Sequence, residues 1–297
     1  MRSIKKQTGV SLIELMIVGV LMLAIGLSMV KIMMTANKTS AHTNGVSQAQ
    51  ETARLTTTLL YQQIRKAGFS ADLQAERIQP FSNICTDNTI VPPDDNAHCS
   101  FNSEDTNDRI AIRRTFNDDS AYPWEAEDCT GIDLKGTAGL TSGESVLVDV
   151  YWVESAIIAN GNSHEKSEDQ SDSYDDVLKC VTYNDDTGKI LNFPQTLASG
   201  IEGLQALYAE SDVTPGKTGI YFGDIYNYRS LDTSIDMNSV YAVRIAVLTR
   251  AFSNFNMVKA NRSYILFDAK PYSFTNDQIP RQIQITTVAL KNYTHKP

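Results

Sequence analysis

Between Val10 and Val30 the chain runs for 21 residues without Asp, Lys or Arg. At about 1.5 Å per residue a helix of that length spans roughly 31 Å, the thickness of a bilayer's hydrocarbon core. One charge interrupts the run, Glu14. A carboxylate at that depth costs on the order of 2.5–3.5 kcal/mol on insertion scales, so it calls for a partner or a task. Ahead of the run stand Arg2, Lys5 and Lys6, with no acid before Glu14. Such a basic flank holds the N-terminus in the cytoplasm and sends the chain beyond Val30 across the membrane. An ordinary secretory signal has an apolar core of about 7–15 residues before a small-x-small cleavage site; this run is longer and carries an acid near its start.

The helical pattern does not stop with the apolar run. No proline occurs before Pro80, and Val46, Ala49, Ala53, Thr56, Leu60, Ile64 and Ala67 recur at spacings of three and four. That spacing predicts one helix from Val10 to about Ala67, roughly 85 Å long, whose second half lays an apolar stripe on a head. Arg65 and Lys66 followed by Gly68 read as its C-terminus, with cations on the negative end and glycine as the cap. Gly45 is the weakest point of this half, and Gly19 and Gly26 weaken the apolar half.

From Phe69 to Pro297 the pattern turns to strands and long loops. Segments 109–116, 145–153, 177–183, 204–209, 239–250 and 282–293 are rich in Val, Ile, Thr and Tyr. In 239–250, Tyr241, Val243, Ile245 and Val247 alternate with Arg244 and smaller residues, which predicts one face on a core and the other partly exposed. In the last segment Ile283 and Ile285 share a face and Val288 and Leu290 take the other, so a bulge or burial on both sides is expected. Asp185-Asp186-Thr187-Gly188 is a hairpin-turn signal. The expected fold class is α+β, a long N-terminal helix packed on an antiparallel β head with long loops tied by disulfides.

All four cysteines, Cys85, Cys99, Cys129 and Cys180, lie beyond the apolar run, on the side where disulfides form and persist. Three connectivities are possible. Cys85–Cys99 with Cys129–Cys180 is favoured: the first closes a Pro- and Asp-rich loop, the second ties a loop to a strand. No C-x-x-C pair occurs and the histidines at 42, 98, 164 and 295 are scattered, so no metal site is expected. The acidic stretch 165–176 lacks calcium-loop spacing and reads as a solvated loop. There is no G-x-S-x-G, no H-E-x-x-H and no phosphate-cradling glycine loop, hence no expected enzyme activity and no cofactor. The formal charge of −9 argues against nucleic acid, which needs a basic face.

The basic leader, Gly9, an apolar residue and then SLIELMIV resemble the class III signal of type IV prepilins and type II secretion pseudopilins. By that resemblance a prepilin peptidase cuts between Gly9 and Val10 and methylates Val10, where the family usually has Phe. Glu14 then becomes the fifth residue of the mature chain and pairs subunit to subunit. Loss of the leader takes Arg2, Lys5 and Lys6 with it and moves the formal charge from −9 to −12. The fuller resemblance is to the PilW family of type IV minor pilins, more distantly to GspJ-type minor pseudopilins. It rests on IRKAGF (64–69), IEGLQALY (201–208), VYAVRIAVLTR (240–250) and RQIQITTVALKNY (281–293). It implies a removed leader (1–9), a transmembrane and polymerisation helix (10–30), an amphipathic helical half (31–68) and a periplasmic β-rich head (69–297). It also implies other minor pilins and the major pilin as partners, and residence in the inner membrane before incorporation at a pilus tip. A pseudopilin of a secretion system and a tip adhesin are the alternatives.

Overall fold

The structure, a computed structural model, describes residues 9, 11–70, 78–85, 90–154, 176–211, 225–252 and 259–290. The expected leader through Thr8, Val10 and nearly all of the acidic stretch 165–176 lie outside the described residues.

A single helix, α1 (Leu12–Ile64), runs unbroken through Gly19, Gly26 and Gly45 for 53 residues, about 80 Å. Its buried residues are Gly45, Ala49, Ala53, Thr56, Thr57, Leu60 and Ile64. Gly45 is thus part of the packed face and not a break. The helix ends at Ile64, three residues short of the expected Ala67. Residues 65–68 form a turn in which Gly68 takes φ +73° and its N–H donates to Arg113 O (2.8 Å). Lys66 does not sit free at the helix end. Its ammonium donates to Gln63 Oε1 (2.6 Å), lies 5.5 Å from the Trp124 ring centroid, and burial lowers its pKa.

Among the described residues two four-stranded antiparallel sheets form the head. The first is a meander of β1 (Arg109–Thr115), β2 (Val146–Glu154), β3 (Val177–Asn184) and β4 (Gln195–Ser199). The second contains β5 (Ile201–Ser211), β6 (Ile225–Arg229), β7 (Val240–Arg250) and β10 (Arg281–Ala289) in the order β10-β7-β5-β6. A hairpin of β8 (Ala260–Tyr264) and β9 (Tyr272–Asp277) stands apart from both. The core lies where Ile110, Ile112, Tyr151 and Leu178 of the first sheet meet Leu204, Tyr208, Val243 and Val247 of the second, with Leu60 and Ile64 of α1 in the same cluster. Helix end and two sheets therefore share one interior, which a layered α+β domain needs in order to bury each apolar face.

Both sheets are also covered on their outer faces. Ile90 and Ala97 pack on Val148, Val150, Val181 and Tyr183 of the first sheet, and Leu266, Tyr272 and Phe274 pack on Ala246 and Leu248 of the second. This second cover corrects the expectation for β7. Only Arg244 on that strand is exposed, because the hairpin buries the face that alternation left half open. In β10 no bulge occurs: its register with β7 is continuous from Arg281↔Arg250 to Ala289↔Ala242. Val288 and Leu290 enter the main core and Ile283 packs under the hairpin, so the pattern reflects contacts on both faces. The turn at 185–188 forms, with Gly188 at φ +67°.

The second sheet is joined to the first by side chains just ahead of β1. Asn107 Oδ1 accepts from Leu204 N (3.0 Å) and Asp108 Oδ2 accepts from Ala206 N (2.8 Å), while Asp108 N donates to Leu204 O (2.9 Å). Among the described residues β6 pairs only with residues 208–211 of β5. Asn107 and Asp108 thus complete the β5 ladder where that strand partner has ended.

Candidate functional site

Among the described residues no catalytic grouping stands out, and the surface that demands explanation is the first half of α1. From Leu12 to Met34, seventeen large apolar side chains are exposed, from 49% at Val18 to 77% at Leu12. They occupy consecutive positions around the whole circumference, the signature of a helix surrounded by lipid or by other helices. Glu14 lies in the first turn and its N–H donates to Ser11 O (3.0 Å). An acid at that place is favoured by the positive end of the helix dipole. Beyond the apolar stretch the hydroxyls of Thr35, Thr39 and Thr43 donate to carbonyls four residues earlier, as Ser28 does to Ala24 O. These polar groups are satisfied within their own helix. Gly9 is exposed.

Packing on the head begins near residue 45, and at that level β7 reaches the helix backbone. Thr249 Oγ1 donates to Ala49 O (2.9 Å), and Phe252 N donates to Gln48 Oε1 (3.3 Å). On the other face of β7 at the same end lies a buried ionic cluster. Arg281 grips Glu202 through both carboxylate oxygens (Nη2–Oε1 3.0 Å) and also binds Asp277; Arg250 lies 3.4 Å from Asp176 and 3.7 Å from Glu202. The side chains of Arg250, Arg281, Glu202 and Asp176 are at most 2% exposed. Such groups are stable inside only when paired, and removing one partner costs about 3–5 kcal/mol. Glu202, Arg250 and Arg281 come from the three later segments that carry the family resemblance, and those segments are adjacent strands of one sheet.

A second buried pair braces the first sheet. Arg114 Nε donates to Asp149 Oδ2 (2.7 Å), Thr182 Oγ1 donates to Asp149 Oδ1 (2.7 Å), and Arg114 also reaches Trp124 O and Glu127 O. The cysteines form two disulfides, Cys85–Cys99 and Cys129–Cys180. The latter fixes this loop to β3, beside Cys129 N donating to Thr182 Oγ1 (2.9 Å). Neither bridge is near Gly9 or Glu14, so the sites expected from sequence fall into two regions: the start of the helix and the head. Among the described residues no group of three or more His, Cys, Asp or Glu could hold a metal ion. Sequence reading passed over the buried charges altogether. The available signal was a charge inside an otherwise apolar strand, as in VLVDVYWV.

The family comparison agrees with the resemblance read from the sequence. The family described as type IV pilus-assembly protein W matches residues 159–292, a little under half of the chain. Among solved structures, a type IV-like pilin from Thermus thermophilus is similar at 12% identity and a TM-score of 0.40, covering 82% of this chain and 97% of that one. No curated protein matches significantly.

Proposed function

We propose that the chain is a type IV pilus minor pilin, held in the inner membrane by α1 and later built into a fibre tip with other minor pilins, whose assembly it primes. The observation that carries this reading is the division of α1. Its first half exposes apolar side chains on every face with one acid in the first turn, and its second half is part of the head's core. The family match supplies the pilus context. In this reading a prepilin peptidase cuts between Gly9 and Val10 and methylates Val10. The new amine is largely cationic at neutral pH, since an α-amino group has a reference pKa of about 7.7–8.0. It is the one cation available to Glu14 before Lys31. In an apolar fibre the carboxylate needs such a partner, and pairing with a neighbour's terminus selects the axial register between helices.

Glu14→Gln tests this. The variant is expected to be inserted and cleaved after Gly9, yet to lose co-purification with its minor-pilin partners. Wild-type recruitment by the variant would remove the ion pair from the proposal. Tip placement is checked by immunogold labelling, where decoration along the whole shaft is the contrary result. Normal fibre numbers with lost adhesion after gene deletion would favour the tip-adhesin reading.

A further inference from the structure

The two disulfides sit in opposite environments. Cys129 and Cys180 are 2% and 0% exposed, inside the main core. Cys99 is partly exposed, while Cys85 lies just beneath it at 9%. Against the sulfurs of this second bridge stands Arg109, itself 5% exposed. Its Nη2 contacts Cys85 Sγ and lies 3.6 Å from Cys99 Sγ; Nε donates to Cys99 O (3.0 Å) and Nη1 to Ile90 O (2.7 Å). Among the described residues no carboxylate forms an ion pair with Arg109. Among the described residues it is a buried cation whose neighbours are two carbonyls, the Phe101 ring at 6.0 Å, the neutral Tyr183 phenol and a disulfide. In the other buried clusters of this head each guanidinium is matched by an acid.

We infer that Cys85–Cys99 is a thiol-exchange site, in which an external thiol attacks Cys99 and Arg109 receives Cys85 as the leaving thiolate. An incoming thiolate forms a new S–S bond to Cys99 Sγ, the Cys85–Cys99 bond breaks, and its electron pair leaves on Cys85 Sγ beside the guanidinium. A second molecule of the thiol then attacks the mixed disulfide, releasing its own oxidised dimer and leaving Cys99 reduced. Two thiols are oxidised and one cystine is reduced. Access selects Cys99 as the sulfur attacked, and leaving-group stability selects Cys85 as the sulfur released. A thiolate next to Arg is stabilised relative to the thiol, and here it meets a guanidinium that has no carboxylate partner among the described residues. The loop does not depend on the bridge alone. Cys85 N donates to Ser100 O (2.8 Å), Ser100 N to Asn83 O (2.9 Å), and Tyr183 Oη to Asp94 O (3.0 Å), so exchange can proceed while the head stays folded.

The test equilibrates the detergent-solubilised full chain in graded mixtures of glutathione and glutathione disulfide, followed by acid quenching, alkylation and peptide mass mapping. Cys85–Cys99 is expected to open at a poise at least tenfold less reducing than Cys129–Cys180, which for a two-electron couple is about 30 mV. The glutathione adduct is expected on Cys99. Arg109→Met is expected to move the midpoint of this bridge about tenfold toward more reducing mixtures, and Arg109→Lys to restore part of the shift, with Cys129–Cys180 unmoved in both. Opening of both bridges together, an adduct on Cys85, or a midpoint indifferent to the Arg109 charge overturns the inference. If neither variant folds, bridge order and adduct position in the unsubstituted protein decide it.

Discussion

At the scale of single residues, Asp108 is the side chain whose environment most changes its chemistry. It is 2% exposed and accepts hydrogen bonds from Ser103 N (2.9 Å) and Ala206 N (2.8 Å). Burial raises its pKa well above the usual aspartate value, against the opposing pull of those two N–H donors. The native state therefore holds this proton more tightly than the unfolded chain, whose aspartates titrate near 3.9. Its contribution to stability is complete below that unfolded value and is lost as pH rises through the raised native value. Asp232 works the other way. The Ser234 hydroxyl, then Arg229, lower it to about 2, so it stays ionised through the range in which Asp108 changes state. Carboxyl ¹³C shifts followed by NMR between pH 2 and 9 are expected to place the Asp108 midpoint above that of Asp232; an ordinary aspartate midpoint would contradict the reading. Asp108→Ala would leave the buried Ala206 N–H without an acceptor, while the Ser103 N–H that it also frees is only part-buried. At about 1–3 kcal/mol for the buried donor, the substitution is expected to destabilise the head by roughly that amount in urea unfolding.

At the scale of elements, α1 is two helices by environment and one by geometry, and substitutions in its halves will separate them. Leu60 is fully buried in the core cluster that α1 shares with the two sheets, and Leu60→Ala is expected to cost about 2–5 kcal/mol. Leu23, 68% exposed, touches nothing in the head, and Leu23→Ala is expected to leave the same unfolding midpoint unchanged. Equal effects from the two would refute the division. Much of this element was readable in advance, because a stripe at spacings of three and four can bury only one side of a helix. Six strands were readable for a similar reason, since β-branched and aromatic residues filled them. The other four, QTLAS, IYNYR, ANRSY and YSFTND, were not. They are five or six residues long and largely polar, and they are paired or held by what they cover. Buried charges were misleading by the same logic. Alternation places Asp149 on the inward face with Leu147 and Tyr151, but a carboxylate there makes sense only once Arg114 on the neighbouring strand is seen to meet it. Glu14 draws attention in the sequence because it is the one charge in the apolar run. The cysteine pairing favoured from the sequence is the one the fold forms, although 51 positions separate Cys129 from Cys180.

At the scale of the whole molecule, the question is what the exposed half of α1 demands of its surroundings. Burying a large apolar side chain is worth about 1.5–3 kcal/mol, so the seventeen exposed between Leu12 and Met34 represent about 25–50 kcal/mol of unfavourable hydration. A folded domain is stable by only about 5–15 kcal/mol. No rearrangement within the head could offset such a cost, since its own cores are filled and both sheets are covered on their outer faces. The helix must therefore be surrounded by lipid, detergent or other helices, and in the proposed function passage from membrane to fibre exchanges one apolar medium for another. The buried contacts of α1 begin at Gly45, so a chain starting at residue 35 keeps every helix residue that the head uses. We expect this truncated chain to be soluble without detergent, monomeric in sedimentation and as resistant to urea as the full chain in detergent. A truncated chain that aggregates with its head folded would show that the head carries a second association surface of its own. One that fails to fold would show that the exposed half of α1 supports the head as well as the assembly.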